Sequence, residues 1–195
     1  MMRDVIPGEP SGHRGDQAPE RPLRVLMVCP RYLPEFGGTE MHVHEVSRRL
    51  SALGSFEITV LTTDRSRRLP REEVVEGISV LRVPAWPRRR DYYLAPGIAA
   101  VIRQRRWDLV HCQGIHTPVP LLAMISARQV GIPYLVTFHT GGHSSRLRNA
   151  MRSIQWRLAG PLLRNAVALI AVSHFEAVAL ARQARCCATP CHLLP

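Results

Sequence analysis

Short apolar runs typical of buried strands alternate with segments of helical periodicity along most of the chain. In the first helical segment, Val43, Val46, Leu50 and Leu53 recur at spacings of three and four. The predicted strands are Leu23–Cys29, Glu57–Thr62, Gly77–Val83, Asp108–Cys112, Pro133–Phe138, Ala166–Val172 and His192–Leu194. This alternation predicts an α/β fold in which a doubly wound parallel sheet carries helices on both faces.

Local signals place the ends of the helices. Thr39 is predicted to be the N-cap of the first helix and Gly54 to close it. The segment Arg65–Glu73 is polar and is predicted to be a loop without a strand. Further helices are predicted at Pro96–Arg106, Pro118–Val130, Arg146–Asn165 and Ser173–Ala184.

The chain has 195 residues, of which 46% are hydrophobic, and is therefore long enough for one domain of ordinary size. Residues 1–22 are rich in proline, glycine and charge, which predicts a disordered leader before a single domain at 23–195. The leader lacks the apolar stretch of a secretory signal, and no apolar run reaches the roughly 18 residues of a membrane helix. We therefore expect a cytoplasmic protein.

The five cysteines do not form the paired spacing of a structural zinc site, so thiols are expected and no metal is predicted. Cys29 and Cys112 fall inside predicted strands and are interpreted as small core residues. The formal charge is +11, and all 26 basic residues are arginine. Such a charge favours anionic partners, either nucleotide phosphates or acidic lipid surfaces. Few aromatic residues accompany the arginine runs, so nucleic-acid binding is not expected.

The first predicted strand leads through a loop into Gly37 and Gly38, which open the first helix. Glycines lack a Cβ and allow a phosphate or sugar to approach the backbone, and a helix N-terminus attracts anions. The same residues also suit an ordinary turn between a strand and a helix, and both interpretations remain open at this point. Other polar segments follow the fourth, fifth and sixth strands: His111–His116, His139–His143 and Ser173–His174. Ligands in such sheets bind beyond the carboxyl ends of the strands.

Four segments in this order and at these separations carry a family resemblance. They are Pro30-Arg-Tyr-Leu-Pro-Glu-Phe-Gly-Gly-Thr-Glu40, Asp108-Leu-Val-His-Cys-Gln-Gly-Ile-His116, Val136-Thr-Phe-His-Thr-Gly141 and Ala171-Val-Ser-His174. Together they resemble the N-terminal, acceptor-side domain of family 4 glycosyltransferases, which are retaining enzymes of the GT-B fold. The resemblance implies a Rossmann-like domain that forms one half of a GT-B architecture.

The resemblance also implies roles for single residues. His139 would be catalytic and would face the transferred sugar. Gly37, Gly38, Thr39 and Ser173 would bind the phosphate and sugar of a nucleotide-sugar donor, and Gln113, His116 and Gly141 would bind the acceptor. Two of these residues also have a purely structural interpretation. His139 could be a polar cap on the end of a strand, and Ser173 could cap the next helix. His111 is interpreted as a core histidine, and His42 and His44 as surface residues.

The family's second domain, which carries a Glu-x7-Glu motif and most donor contacts, has no counterpart in this sequence. The expectation is therefore a half-enzyme, inactive alone, that transfers a hexose with retention when a separate C-terminal domain completes it. Its partners would be a nucleotide-sugar donor and a lipid-linked, polyol or glycan acceptor, with no cofactor and no metal. The alternative is a non-catalytic module or truncated remnant that docks on another protein or peripherally on the anionic inner face of a membrane. A dinucleotide-dependent oxidoreductase is not favoured, because the first turn lacks G-x-G-x-x-G.

Overall fold

The computed structural model describes residues 21–88, 93–104, 106–139, 159–173 and 191–193. In these ranges, eight strands form one sheet and three helices are assigned in full. The strands are β1 (Leu23–Val28), β2 (Phe56–Asp64), β3 (Glu72–Val75), β4 (Ile78–Pro84), β5 (Leu109–Gln113), β6 (Tyr134–Phe138), β7 (Ala168–Ala171) and β8 (Cys191–Leu193). The helices are α1 (Gly38–Ala52), α2 (Gly97–Gln104) and α3 (Pro118–Gln129).

The strand order across the sheet is β3-β4-β2-β1-β5-β6-β7-β8. Every neighbouring pair is parallel except β3 and β4, which form an antiparallel hairpin at the edge. The chain runs outward from β1 through β2 to β4, and it then returns to the other side of β1 for β5 to β8. The order therefore reverses between β1 and β5, which is the place where doubly wound sheets bind ligands.

Alternate side chains of β1 enter two separate cores, one on each face of the sheet. Leu26 and Val28 pack in the core that includes Ile98 of α2 and Met124 of α3. Val25 and Met27 pack in the other core, with residues of α1. Because a strand buried on both faces needs a cover on both, this arrangement explains the continuous apolar run in the sequence. The predicted doubly wound sheet with helices on both faces is confirmed.

The strand β3 was not predicted, because it lies partly in the segment Arg65–Glu73 that the sequence assigns to a polar loop. Its four residues pair with β4, and none of them is fully buried. A short, partly charged edge strand lacks the apolar run by which inner strands are found. Glu76 and Gly77 join the two strands with φ of 48° and 84°, and positive φ at both positions is typical of a tight hairpin turn.

The start of α1 differs from the prediction by two residues. The N-cap is Gly37, whose backbone is extended, and the Met41 N–H donates to the Gly37 carbonyl over 3.0 Å. Thr39 therefore lies inside the first turn and is not the cap. The far end agrees with the sequence, since Gly54 follows the helix with a φ of 71°. Cys29 and Cys112 are buried, as predicted.

Apart from Ser173, the predicted helix Ser173–Ala184 lies outside the described residues, as do most of Arg146–Asn165 and residues 1–20 of the predicted leader at 1–22. In the part of the chain that the structure describes, no helix combines the length and the apolar character that spanning a bilayer requires.

Candidate functional site

The carboxyl ends of β5 and β6 bring polar side chains together beside β1, where the strand order reverses. Gln113 is the last residue of β5, and His139 directly follows β6. His116 lies in the loop after β5, and His42 reaches the same place from the start of α1. The parallel register sets this meeting, because Gln113 lies opposite Thr137, two residues before His139.

Gln113 fixes the orientation and the tautomer of His139. The Gln113 side chain is 1% exposed, and its amide nitrogen lies 3.8 Å from the Met27 sulfur. A thioether can only accept a hydrogen bond, so this end of the amide must be the NH₂ group. The Gln113 Oε1 therefore faces His139 and accepts a hydrogen bond from Nε2–H over 2.8 Å. In the neutral ring, the lone pair consequently lies on Nδ1 of His139.

His116 is connected to the same residue through the backbone. Its Nε2 donates to the His139 carbonyl over 3.1 Å. The loop that carries it begins at Gly114, whose N–H donates to the Thr137 carbonyl over 2.7 Å and whose φ is 74°. That backbone conformation favours glycine and turns the chain toward β6. The structure thus brings Gln113, His116 and His139 together.

His42 also belongs to this cluster, although the sequence pattern did not predict this. Its ring meets the His139 ring edge-on, with 5.0 Å between the ring centroids. The side chain is half-buried, and this burial lowers the pKa of His42. The prediction that His42 lies on the surface is wrong, because the start of α1 reaches the segment that follows β6. Helical periodicity alone does not reveal which strand end a helix faces.

His111 lies beneath the cluster in the core. Its Nε2 is 2.7 Å from the Thr137 hydroxyl oxygen, and the ring is buried. Burial, followed by the nearby rings of His139 and His42, lowers the pKa of His111 to about 3. A charged ring is therefore strongly disfavoured below the site. The interpretation of His111 as a satisfied core histidine is confirmed.

The two glycines at the start of α1 have different surroundings. A Cβ at Gly37 would meet the carboxylate of Glu40 well inside the 3.0 Å that real Cβ atoms keep. Glu40 is 5% exposed, and its Oε1 pairs with Arg31 Nε at 3.1 Å. The chain's own carboxylate thus lies close to the helix N-terminus. A Cβ at Gly38, by contrast, would meet nothing within 4 Å.

The loop between β1 and α1 is held by side chains from neighbouring segments. The Pro30 carbonyl accepts hydrogen bonds from the hydroxyls of Thr63 at 2.7 Å and Tyr93 at 2.8 Å. Arg82 of β4 is buried and donates to the Leu33 carbonyl over 2.6 Å. It also forms an ion pair with Glu73 of β3. Three donors on two carbonyls fix the backbone before the glycines. The loop is therefore preformed.

A chain of hydrogen bonds fastens the same loop to α1. The Tyr32 hydroxyl lies 2.8 Å from His44 Nδ1, and His44 Nε2 lies 3.0 Å from a Glu76 carboxylate oxygen. His44 is 3% exposed, so the prediction of a surface residue is wrong. Its ring is buried because its two nitrogens connect a tyrosine and a glutamate from different segments of the chain. The sequence signal for this was only the apolar neighbour Val43.

The sequence profile of Glycosyltransferase Family 4 matches residues 36–195, which is most of the chain. The chain belongs to glycosyltransferase family 4. Among relatives of this family 4 domain, a GDP-mannose:cellobiosyl-diphosphopolyprenol alpha-mannosyltransferase from Komagataeibacter xylinus is 32% identical over 144 residues. That match covers 67% of this chain and 34% of the relative. The enzyme of the same name from Xanthomonas campestris is 28% identical, over 68% of this chain and 35% of its own length.

One subunit of the phosphatidylinositol N-acetylglucosaminyltransferase from Arabidopsis thaliana is also similar, at 28% identity over 60% of this chain and 28% of its own length. The family 4 domain thus spans about a third of the length of these relatives. Among solved structures, a sucrose-phosphate synthase from Thermosynechococcus elongatus superposes with a TM-score of 0.59 at 17% identity, covering 88% of each chain. A MurG from Acinetobacter baumannii gives 0.51 at 17% identity, over 78% of this chain and 42% of its own. The expected Rossmann-like half of a GT-B architecture is confirmed.

The remaining predicted site residues of the family 4 domain are less closely placed. Thr39 follows Gly38 in the first turn of α1. Ser173 is exposed and lies two residues beyond the end of β7, hence at the same edge of the sheet as His139. Gly141 lies outside the described residues. Within the described ranges, no group of three or more histidine, cysteine, aspartate or glutamate side chains is arranged to hold a metal ion.

Proposed function

We propose that this chain is the acceptor-side domain of a retaining, metal-independent hexosyltransferase. In this proposal, a nucleotide-sugar donor supplies the hexose, and a lipid-linked sugar accepts it. The single observation that carries the proposal is the cluster of Gln113, His116 and His139 at the reversal of strand order. Its polar groups converge where this fold binds ligands, and a buried amide holds the central imidazole.

The names of the relatives support the choice of donor and acceptor classes. Two of them are named for GDP-mannose as donor and a cellobiosyl-diphosphopolyprenol as acceptor. A third is named for phosphatidylinositol, which is also a lipid. Of the lipid-linked, polyol and glycan acceptors that the sequence leaves open, the lipid-linked class is therefore the one we propose.

The geometry suggests a positioning and hydrogen-bonding role for His139. Its Nε2–H is tied to Gln113, so the ring cannot rotate freely about its side-chain bonds. A histidine held in one tautomer and one orientation presents the same hydrogen-bonding atom to a sugar hydroxyl in a fixed direction. Such a side chain contributes to catalysis because it is already aligned before the sugar binds. His116 and Gln113 would then contact the acceptor from the neighbouring loop. We also propose that the anomeric configuration is retained and that this face of the domain binds the acceptor.

The leaving diphosphate would be stabilised without a divalent metal. The N-terminus of α1 carries partial positive charge, and Gly38 leaves its approach open. Thr39 and Ser173 would add hydroxyl contacts to the donor. Because Glu40 already lies beside Gly37, we expect the diphosphate to approach on the Gly38 side.

The test is a transfer assay in which the chain is co-expressed with the C-terminal two thirds of the Komagataeibacter xylinus relative. Labelled nucleotide hexoses, GDP-mannose first, are supplied with a diphosphopolyprenol-linked disaccharide. We expect labelled lipid product, with the anomeric configuration of the donor retained by NMR. Absence of transfer from every donor, with both parts folded, would refute the proposal.

A variant pair separates the site from the scaffold. His139→Ala should lower turnover by about tenfold or more. It leaves the buried Gln113 Oε1 without its donor and should therefore also cost about 1–3 kcal/mol of unfolding free energy, with the domain still folded. His192→Ala, at an exposed position on β8, is the matched control and should leave turnover unchanged. If His139→Ala instead unfolds the domain, or leaves turnover unchanged, the site assignment is wrong.

A further inference from the structure

Three large apolar side chains are exposed on loops at the carboxyl edge of the sheet. Phe36, in the loop after β1, is 77% exposed. Trp86 and Leu94, in the segment after β4, are 68% and 55% exposed. A globular domain commonly exposes single apolar residues, but several of them on neighbouring loops of one edge indicate an interaction surface.

Hydrogen bonds and a cation–π contact connect the loops that carry these three residues. Glu35, the neighbour of Phe36, accepts from Arg65 over 3.4 Å. The Arg65 guanidinium lies over the Tyr93 ring, 5.6 Å from its centroid. Leu94 follows Tyr93 and exchanges two backbone hydrogen bonds with Trp86, of 2.9 and 2.8 Å. The loops after β1, β2 and β4 therefore form a continuous edge.

Exposed arginines lie on the same loops. Together with the three apolar residues they form what we name the arginine–aromatic rim: Phe36, Arg67, Arg68, Trp86, Arg88 and Leu94. Within the described part of the chain, these arginines have no carboxylate partner, and the one aspartate among them, Asp64, is buried and accepts from Ser66 and Leu69. The rim is therefore positively charged.

We propose that the arginine–aromatic rim docks this domain on the surface of an anionic lipid bilayer. Tryptophan, phenylalanine and leucine side chains insert at the level of the lipid headgroups, while arginines beside them attract acidic lipids. A bilayer is preferred over a protein partner because it matches two features together: the exposed apolar side chains, and arginines that no carboxylate of the described residues pairs with. The rim shares its edge of the sheet with Gln113 and His139, so docking would bring the candidate site to the lipid headgroups.

Docking of the rim on a bilayer depends on the proposed function in one respect only: it would explain how a lipid-linked acceptor reaches the candidate site. The first experiment is sedimentation of the full chain with vesicles of phosphatidylcholine, with and without phosphatidylglycerol. We expect retention on the vesicles with phosphatidylglycerol that weakens as salt is raised, because surface charge attraction is screened. Equal retention on neutral vesicles, or none on either, would overturn the proposal.

Rim variants then locate the contact. Arg67→Gln and Arg68→Gln should each weaken binding by about fivefold, as expected for an arginine near an anionic surface. The combined Phe36→Ser, Trp86→Ser and Leu94→Ser variant should lose retention while keeping its circular dichroism spectrum. The matched controls are Leu53→Ser, which is 66% exposed at the opposite end of α1, and Arg49→Gln in the last turn of that helix. Unchanged retention in the rim variants, or equal loss in the controls, would assign the binding elsewhere.

A second polypeptide is the other occupant that the rim could accept. If co-expression with the C-terminal part of the relative abolishes vesicle binding, that part covers the rim and the lipid assignment is wrong. Vesicle binding needs no transfer activity, so the two proposals fail separately. Transfer without vesicle binding would refute the rim alone, and vesicle binding without transfer would refute the enzyme alone.

Discussion

Two adjacent glycines should respond in opposite ways to the same substitution. A methyl group at Gly37 would collide with the Glu40 carboxylate, whereas a methyl group at Gly38 would point into open space. Neither residue has a positive φ, so backbone strain does not enter the comparison. The difference between Gly37→Ala and Gly38→Ala therefore combines the cost of displacing Glu40 with the preference for glycine over alanine at the N-cap and for alanine over glycine inside the helix.

The magnitude can be worked from the contacts. Moving Glu40 would weaken its interaction with the helix N-terminus, about 0.3–1 kcal/mol, and its pair with the half-exposed Arg31, about 0–1 kcal/mol. Alanine is also a poorer N-cap than glycine, by about 1 kcal/mol. The smaller entropy of the unfolded alanine chain returns about 0.4–1 kcal/mol. Gly37→Ala should therefore destabilise the fold by about 1 kcal/mol.

Gly38→Ala gains the entropy term and helix propensity without a clash, and should stabilise the fold by about 0.4–1 kcal/mol. The two variants should then differ by about 2 kcal/mol. At about 2–4 °C per kcal/mol for a domain of this size, their melting temperatures should differ by about 4–8 °C.

Urea unfolding followed by circular dichroism gives both free energies, and Glu40→Ala supplies the background for a double-mutant cycle. With Glu40 removed, Gly37→Ala should lose most of its cost, because the carboxylate it displaces is absent. Equal stability of the two glycine variants, or a cost of Gly37→Ala that survives Glu40→Ala, would refute the reasoning.

Three further predictions concern the core beneath the site and the loop anchors. Between pH 6.5 and about 3 the unfolded chain binds a proton at His111 that the folded chain does not, so the unfolding free energy should fall as the pH is lowered, by up to about 1.4 kcal/mol per pH unit; His111→Gln should flatten this dependence in urea titrations. Arg82→Met leaves the Leu33 carbonyl without its donor and should cost about 2–3 kcal/mol, with faster amide exchange in the loop. Tyr93→Phe should cost about 1 kcal/mol by calorimetry, because Thr63 still donates to the shared carbonyl.

Most of the sheet could be predicted because its inner strands are buried on both faces. Such strands must be apolar at successive positions, as in Leu23–Val28, and this run is visible in the sequence. The edge strand β3 could not be found in the same way, since half its positions face solvent. Its hairpin depends on positive φ at Glu76, a residue type that gives no turn signal of its own.

Only part of the candidate site could be predicted from the sequence, for a related reason. Gln113 and His139 lie at the ends of predicted strands, and parallel strand ends meet at one edge, so their proximity follows from the order of elements. His42 joins them through the packing of α1 on the sheet, which the helical period does not specify. His44 is buried by bonds to Tyr32 and Glu76, which are 12 and 32 residues away. Long-range polar partners of this kind leave no local pattern.

The two glycines at the start of α1 differ in role. Gly37 serves the fold, whereas Gly38 leaves the backbone open to an approaching ligand. The fold itself favours glycine at position 37, because a Cβ there would displace the Glu40 carboxylate. Gly38 has no such neighbour, so nothing inside the described domain demands a glycine there. A glycine that the fold does not need, at a helix start beside a preformed loop, is best explained by a ligand that approaches the backbone. In the transfer assay, Gly38→Ala should then lower turnover even though it raises stability, whereas turnover would stay unchanged if the turn were purely structural.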